Sequence, residues 1–318
     1  MTPHSRALAA SILAFTITLC AQAAAEDAKA TQPCTLPLLQ SLDMVTLPTG
    51  EIAVPATLND RLLDLEIDTG SGNTILSWET AEELGLKTQA TDRGGAFLNN
   101  VSLNAYAYLD TLALGRLHAS GRWPVLIMSN AMTSPDMYGL LGADVMRNYD
   151  VEFDFFRGKV NLFSHNKCPS GAVYWTHEAF AGVPIQIDSN SHIVVDAGLD
   201  GKRVRVILDT GSADSIMSLD AARDLFDWSD SDPRLKLLRT EDVNGGAAAP
   251  IYEFPFGYLN FEGVTIYGPK IRLVPRKNFD PHGRDDTSIV LGMSVVRRLH
   301  LYVAYDENKL YLTGAEAQ

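Results

Sequence analysis

Residues 65–72 read Leu-Glu-Ile-Asp-Thr-Gly-Ser-Gly, and residues 206–213 read Val-Ile-Leu-Asp-Thr-Gly-Ser-Ala. Asp68 and Asp209 therefore stand at the same place in two copies of one pattern, 141 positions apart. Each aspartate follows a short apolar run with high β propensity and precedes a glycine, which permits a tight turn. The pattern predicts that each half of the chain presents one carboxylate at the end of a strand.

The similarity between the two halves extends beyond these motifs. Residues 51–87 align with residues 192–228 without a gap, and two later segments, containing Leu-Leu-Gly142 and Val-Leu-Gly292, form a second matching pair. Self-similarity of this kind indicates a duplicated structural unit. We therefore expect two related halves that carry the same elements in the same order.

Most elements of each half are predicted to be strands. β-prone runs flank Asn-Asp at 59–60 and Asp-Gly at 200–201, and these dipeptides favour hairpin turns. A closing hairpin is expected in each half, over residues 151–163 and residues 301–312. The sequence therefore predicts an all-β protein.

Two short helices are predicted to follow the aspartate motifs. Ser77 and Ser218 precede acidic stretches, and serine is a preferred N-cap residue because its hydroxyl accepts a hydrogen bond from a free backbone N–H group. These helices are expected to cover the sheet and to take no part in chemistry.

Composition limits the classes of protein that fit. The chain has 318 residues, of which 46% are hydrophobic, and that is enough apolar material for two cores. The formal net charge of −13 argues against a nucleic-acid partner, because phosphate binding needs clustered Lys and Arg. None of the seven histidines has metal-ligand spacing, so we predict no metal and no cofactor.

The N-terminus is predicted to be a signal peptide over residues 1–25. Arg6 precedes an apolar run over residues 7–19, and cleavage motifs of the A-x-A form follow it. A membrane span needs roughly 18 apolar residues, so the run is too short for one; a lipid anchor at Cys20 is an open alternative. We expect an exported protein, periplasmic or secreted.

Two cysteines, Cys34 and Cys168, remain after removal of the signal peptide. In an oxidising compartment two cysteines are expected to form one structural disulfide. It would tie the N-terminal extension to the segment that follows the first half.

Asp68 and Asp209 are the candidate catalytic residues. If the halves pack about a pseudo-twofold axis, the two carboxyl groups meet, cannot both ionise and must share one proton. The ionised member can then take a proton from a water molecule, while the protonated member donates a hydrogen bond to a scissile carbonyl. This chemistry hydrolyses an amide without a covalent intermediate.

The residues around the aspartates are expected to hold them in place. Thr69 and Thr210 are suited to hydrogen bond across to the opposite loop, and the serine hydroxyls are suited to stabilise the outer carboxylate oxygens. Such stabilisation favours the ionised form and an acidic working range. The predicted supporting residues are Thr69, Gly70, Ser71, Thr210, Gly211 and Ser212.

The two Asp-Thr-Gly-Ser motifs, each followed downstream by Gly142 or Gly292, resemble those of the aspartic peptidases of the pepsin and retropepsin group. The resemblance covers nearly the whole mature chain and is strongest to bacterial retropepsin-like proteins with two fused lobes. It implies a bilobal acid-protease fold of two pseudo-twofold-related β lobes with short helices. The expected N-terminal lobe is 26–163, the connection 164–182 and the C-terminal lobe 183–318.

The resemblance implies an aspartic endopeptidase that acts on peptide or protein substrates, and a shared proton is a known property of this family. Retropepsins usually carry alanine after Asp-Thr-Gly, whereas both motifs here carry serine, as pepsin-like enzymes commonly do. This departure puts a neutral working pH in doubt.

Substrate contacts are predicted at Gly72 and Ala213, beside the motifs, and at Tyr106 and Tyr108. An aromatic residue in a strand can equally be a packing residue, and that alternative stays open for the two tyrosines. The family closes a hairpin flap over its substrate, for which residues 91–108 and residues 240–258 are the candidates.

Two other hypotheses remain at this point. The chain could be a peptide-binding or assembly module that kept the scaffold and lost turnover, although retention of both aspartates argues against this. Lobes could also pair between two chains, but because one chain carries both halves we expect a monomer with an intramolecular site.

Overall fold

The structure is a computed structural model, and it describes residues 36–90, 97–98, 101–119, 121–128, 137–165, 172–177, 179–229, 232–241, 249–275 and 289–315. The predicted signal peptide and both cysteines of the predicted disulfide, Cys34 and Cys168, lie outside these residues. Residues Cys34–Gln318 form one compact unit, and most of its elements are strands, as predicted.

Among the described residues of the first half there are two helices, α1 (Trp78–Glu83) and α2 (Ala143–Met146). Its strands are β1 (Leu38–Asp43), β2 (Val45–Thr46), β3 (Ile52–Leu58), β4 (Arg61–Ile67), β5 (Ile75–Ser77), β6 (Gln89–Ala90), β7 (Phe97–Leu98), β8 (Val101–Ser102), β9 (Ala105–Leu109), β10 (Leu112–Leu114), β11 (Leu117–His118), β12 (Trp123–Met128), β13 (Gly139–Leu141), β14 (Asp150–Asp154) and β15 (Lys159–Phe163).

The second half contains α3 (Leu219–Phe226) and α4 (Met293–Val296). Its strands are β16 (Ala181–Ile187), β17 (Ile193–Leu199), β18 (Lys202–Leu208), β19 (Ser215–Ser218), β20 (Lys236–Glu241), β21 (Ala249–Glu253), β22 (Tyr258–Phe261), β23 (Val264–Tyr267), β24 (Ile271–Val274), β25 (Ile289–Leu291), β26 (Leu299–Ala304) and β27 (Lys309–Gly314).

The aspartate-bearing strands belong to two hairpins, β3–β4 and β17–β18. The turn residues have positive φ angles, 44° and 66° at Asn59 and Asp60, and 45° and 80° at Asp200 and Gly201. Positive φ at both central residues is what a two-residue type I′ turn requires. The two predicted hairpins are therefore confirmed.

The helices that follow the aspartate motifs begin where the sequence predicts. Ser77 Oγ accepts a hydrogen bond from the Thr80 N–H group at 3.1 Å, and Ser218 Oγ accepts one from the Ala221 N–H group at 3.4 Å. Both serines are N-caps, and each satisfies a backbone donor that the helix leaves free. Within the described ranges, no helix combines the length and apolar character that a membrane crossing requires.

A strand from the second matching pair of segments lies beside each aspartate-bearing strand. β13 runs parallel to β4 and antiparallel to β5, and β25 has the same relation to β18 and β19. The Asp68 N–H group donates to the Leu141 carbonyl at 3.1 Å, and the Asp209 N–H group donates to the Leu291 carbonyl at 3.0 Å. Matching neighbours therefore fix both aspartates at the ends of their strands.

The closing hairpins, β14–β15 and β26–β27, join the two halves. They form as predicted, and β14 pairs antiparallel with β26, with Val151 opposite Val303. Strands of both halves therefore lie in one large sheet, with buried residues such as Phe153 and Leu301 in its core. The division into lobes at residues 164–182 stays a prediction.

The segment between the halves lies against this shared sheet. The Trp175 ring stacks on the His300 ring with centroids 4.2 Å apart, and its Nε1–H group donates to Thr313 Oγ1 at 3.0 Å. The Tyr174 hydroxyl donates to Glu152 Oε2 at 2.7 Å. These contacts fix the predicted connection to strands from both halves.

Candidate active site

The two predicted aspartates meet in the structure. Asp68 follows β4 and Asp209 follows β18, and the carboxyl group of each lies against the glycine of the opposite loop. Asp68 Oδ1 also accepts the Gly70 N–H group at 2.8 Å, and Asp209 Oδ1 accepts the Gly211 N–H group at 3.0 Å. Each carboxyl group is thus held by its own loop and packs against the opposite one.

Close approach of the two loops explains the glycines of both motifs. A Cβ atom at Gly70 would lie 2.6 Å from the Asp209 carboxyl group, and one at Gly211 would overlap the Asp68 carboxyl group. Real Cβ atoms essentially never come that close to another heavy atom. Neither position can carry a side chain unless the aspartate pair moves apart.

The threonines of the motifs exchange hydrogen bonds between the two halves. Thr69 Oγ1 donates to the Leu208 carbonyl at 2.8 Å, and Thr210 Oγ1 donates to the Ile67 carbonyl at 2.6 Å. The Thr69 N–H group donates to Thr210 Oγ1 at 3.1 Å, and the Thr210 N–H group donates to Thr69 Oγ1 at 3.0 Å. This reciprocal set, buried from water, ties the two aspartate loops together.

The serines of the motifs are placed differently from the sequence expectation. Ser71 Oγ donates to the Asn73 carbonyl at 2.8 Å, and Ser212 Oγ donates to the Asp214 carbonyl at 2.9 Å. A hydroxyl has one proton, so neither serine side chain donates to an aspartate in this arrangement. The backbone N–H group of Ser71, not its hydroxyl, helps to lower the pKa of Asp68.

Burial sets the protonation of the aspartate pair. Burial raises the pKa of Asp68, and the hydrogen bond from Gly70 opposes this rise. Burial also raises the pKa of Asp209, which lies well above its ordinary value because the Asp68 charge adds to the effect. The pair therefore keeps one proton over a pH range in which isolated aspartates are ionised.

Glu66 is a further carboxyl group beside the pair, it is buried, and no sequence motif predicted it. It lies on β4, two residues before Asp68, and residues two apart in an extended chain point to the same side. Its exposed fraction is 6%. Burial and the charges of Asp68, Glu51 and Asp209 raise the pKa of Glu66 to about 9. Its side chain is therefore neutral at physiological pH.

Replacement of Glu66 by glutamine is expected to stabilise the protein at pH 8. Since the pKa of Glu66 is about 9 in the folded state and 4.5 ordinarily, the group stabilises the fold fully below pH 4.5. This contribution is lost as the pH rises toward 9. We expect Glu66→Gln to raise the free energy of unfolding at pH 8 by up to about 5 kcal/mol, which is roughly 1.4 kcal/mol for each pH unit above 4.5, with little change at pH 4.

Urea-induced unfolding at pH 4, 6 and 8 measures this effect. Glu82→Gln is the matched control, because Glu82 is an exposed residue of α1. A Glu66→Gln protein that loses stability between pH 4 and pH 8 as steeply as the wild type would contradict the assignment.

Two further residues outside the motifs act on the aspartates. Glu51 contributes to the raised pKa of Asp209, after burial and Asp68, whereas the His192 charge opposes the rise at Asp68. Neither residue belongs to a recognisable motif. Alignment of the two halves could have identified these residues, because the aligned segments begin with Glu51 in one half and His192 in the other.

The glycine and alanine of the predicted substrate contacts take part in loop packing. A Cβ atom at Gly72 would lie 2.5 Å from the Asn190 carbonyl oxygen, so Gly72 packs against a turn of the second half. The Ala213 carbonyl accepts the Ser294 N–H group at 2.9 Å. A role for Gly72 and Ala213 in substrate binding stays a prediction.

The two predicted tyrosines lie on one face of β9. Their rings are 5.7 Å apart in an edge-to-face arrangement. The Tyr106 hydroxyl donates to Gln89 Oε1 at 2.8 Å, and the Arg122 guanidinium lies 4.6 Å from the Tyr108 ring centroid. These packing contacts match the alternative that the sequence left open, and substrate binding by either tyrosine stays a prediction.

Both flap candidates contain hairpin strands. In the first, β7 and β8 pair with each other, Phe97 opposite Ser102, and in the second β20 pairs with β21. The glycine pairs at 94–95 and 245–246 lie outside the described residues. Among the residues that the structure describes, no group of three or more His, Cys, Asp or Glu side chains is arranged to hold a metal ion.

Comparison with known families supports the same kind of protein. Residues 54–145 match a family model described as aspartyl protease. The match includes Asp68 and the Gly142 segment and ends before the second half. It supports an aspartyl protease family and protease function in general. A comparison with curated proteins found no match.

Proposed function

We propose that this protein is an aspartic endopeptidase, in which Asp68 and Asp209 hydrolyse peptide bonds through an activated water molecule. The observation that carries this proposal is the contact between Asp68, which is buried, and Asp209, which is partly buried, each lying where the other loop has a glycine. The family match over residues 54–145 supports a peptide substrate.

In this proposal the ionised aspartate removes a proton from a water molecule held against the pair. The oxygen of that water attacks the scissile carbonyl carbon, while the protonated aspartate donates a hydrogen bond to the carbonyl oxygen. The amine then leaves with a proton from the pair. No covalent enzyme intermediate forms, so the chemistry needs the carboxyl pair and no further nucleophile.

The supporting residues fix the geometry that this chemistry needs. The cross-half bonds of Thr69 and Thr210 keep the two loops in register, and the glycines let the carboxyl groups approach. A pair held rigidly before the substrate binds avoids the cost of reorganisation during the reaction. Ser71 and Ser212 maintain the loop conformation through their carbonyl contacts.

We also propose that the two halves are related by a pseudo-twofold axis, as in bilobal retropepsin-like enzymes. The repeat supports this, because β3 and β4 begin and end at positions that align with β17 and β18. The proposed enzyme is an exported monomer with its cleft between the lobes.

Incubation of the purified protein with a diverse peptide mixture, at steps between about pH 3 and pH 8, tests the proposal, since the working range of the pair depends on its shared proton. We expect internal cleavage of peptides, detected by mass spectrometry, with the highest rate on the acidic side of neutrality. Hydrolysis in water enriched in oxygen-18 should place one heavy oxygen in each new carboxyl terminus.

Two outcomes would overturn this function. Peptides that bind tightly but stay intact at every pH would instead identify a non-catalytic peptide-binding module. Cleavage that persists unchanged in the Asp68→Asn protein would show that another group carries the reaction.

A further inference from the structure

Strand pairing in the first half places one residue from each of six neighbouring strands in a row beside Asp68, which we call the first row. The row begins on β4 and ends on β6, and each member is paired in register with the next. Its members are Glu66, Leu140, Ile75, Leu126, Tyr106 and Gln89. Glu66 points to the same side of β4 as Asp68, so the row extends sideways from the aspartate pair.

The second half has an equivalent row, the second row, which begins on β18 beside Asp209 and ends on β20. Its members are Ile207, Val290, Ile216, Arg272, Glu253 and Lys236. In both rows, the residue that follows each of the first five members in the chain belongs to the hydrophobic core. Adjacent side chains of a strand point to opposite faces, so both rows lie on the face turned away from the core.

The outer ends of the two rows differ in charge. The outer three members of the first row, from Leu126 to Gln89, are uncharged, whereas those of the second row, from Arg272 to Lys236, are all charged residues. The inner members are apolar in both halves apart from Glu66, which is neutral at physiological pH. A peptide that lies across both rows therefore meets charged side chains along the second row.

Arg272 lies between two carboxylates. Its Nη1 atom contacts Asp214 Oδ2, and Glu253 is its cross-strand partner on β21. Lys236 lies 4.0 Å from Glu253 with its own side chain 75% exposed, so it compensates that carboxylate only weakly. One arginine therefore faces two acidic groups, and this part of the second row has an excess of negative charge.

Asp214 connects this charged group to the aspartate loop. Its carbonyl accepts a hydrogen bond from Ser212 Oγ of the motif at 2.9 Å, and the side chain of Asp214 is 36% exposed. The repeat aligns Asp214 with Asn73, so the carboxylate is a feature of the second half. A ligand that reaches the aspartate loop can therefore also reach this carboxylate.

We propose that the second row, together with Asp214, selects peptide substrates that carry a basic side chain, Lys or Arg, on the side of the scissile bond that lies along the second half. This inference rests on the proposed peptidase function and deepens it. The basic side chain neutralises the excess negative charge of Asp214 and Glu253. The first row, uncharged at its outer end, makes no such selection on the other side of the bond.

Strand spacing indicates where the basic residue lies in the substrate. Arg272 is three strands away from β18, which carries Asp209 at its end. At the usual spacing between strands this separation is about 14 Å, the length of roughly four residues of an extended peptide. We therefore expect the charge preference within about four residues of the cleaved bond.

Matched peptides that carry Lys, Gln or Glu at a single position test the inference, with that position moved along both sides of the cleaved bond. We expect kcat/KM to fall in the order Lys, Gln, Glu at one position on one side. The ratio between Lys and Glu should be about tenfold, as expected for partly exposed ion pairs. It should decrease at high salt, because salt screens such pairs.

Substitutions in the second row should change this ratio in opposite directions. Asp214→Asn and Glu253→Gln should each lower it to about threefold or less, because each removes one of the two carboxylates. Arg272→Leu introduces the residue that the first row has at Leu126. It should raise the ratio, because both carboxylates lose the cation that lies between them.

Asp220→Asn is the matched control, because Asp220 also pairs with an arginine, Arg223, at 3.3 Å but lies on α3, outside the second row. We expect this variant to keep the wild-type ratio. Competition binding of the same peptides to the Asp209→Asn protein measures the preference without turnover, and the Lys peptide should bind most tightly.

Three results would overturn the inference: equal kcat/KM for Lys and Glu at every position, a preference for Glu, or a preference for Lys that keeps its full size in both Asp214→Asn and Glu253→Gln. If either variant does not fold, an unchanged ratio in Arg272→Leu has the same meaning. Failure of the proposed function has a different signature, the absence of peptide cleavage in the wild type. In that case the binding measurement still tests the charge preference, and equal binding of the Lys and Glu peptides would overturn it.

Discussion

Replacement of Asp209 by asparagine is expected to reduce kcat/KM for peptide cleavage by at least about 1,000-fold, since general acid–base catalysis contributes factors of this order. Asp68→Asn should have an effect of the same size. The physical reason is that asparagine neither accepts the proton of the water nor shares one with the remaining aspartate. Rates measured on the best-cleaved peptide of the mixture give the comparison.

The loss should not come from unfolding. Two adjacent carboxyl groups with raised pKa values weaken the folded state at neutral pH, so asparagine should leave the thermal midpoint equal to or above that of the wild type. Asp64→Asn is the matched control, because it makes the same change on β4 outside the site. A loss of activity as large in Asp64→Asn would contradict the assignment.

Replacement of Thr210 by valine is expected to lower the free energy of unfolding by about 3 kcal/mol, because it leaves buried polar groups without partners. The side chain keeps its shape but loses its hydrogen bond to the Ile67 carbonyl and its acceptor for the Thr69 N–H group. Thr210 is fully buried, so water cannot replace these bonds. Urea-induced unfolding measures the change.

Thr210→Ser separates the hydrogen bonds from the packing. Serine keeps the hydroxyl and loses only a methyl group, which costs about 1 kcal/mol. The serine protein should therefore be clearly more stable than the valine protein and should retain peptide cleavage. Equal destabilisation by valine and serine would show that the hydroxyl bonds between the halves contribute little.

Local chemistry in the sequence was sufficient to predict the hairpins and caps. Asn59-Asp60 and Asp200-Gly201 favour positive φ angles, and the structure has type I′ turns at both places. The repeat also pointed to the aspartate pair, because identical motifs after matching strands are brought into contact when the halves pack. In these cases the deciding interactions are local or are repeated in both halves.

Other features of the site depend on contacts between distant segments. Glu66 has an acidic side chain in an apolar run, and its neighbours Glu51 and Asp209 lie in other segments of the chain. The Ser71 hydroxyl is a local exception: once the loop has formed it donates to the carbonyl of Asn73, two residues away, and not to a carboxylate. The effect of His192 on Asp68 needs the packing of a turn of one half against a loop of the other.

The number of protons held by the aspartate pair tests the central claim most directly. Potentiometric titration of a Glu66→Gln protein, compared with the same protein carrying Asp68→Asn and Asp209→Asn, counts these protons while Glu66 stays silent. We predict a plateau at one extra proton, extending well above the pH at which an ordinary aspartate ionises. A difference that falls from two protons to none in one step near pH 4, about the ordinary pKa of aspartate, would contradict a shared proton and with it the proposed mechanism.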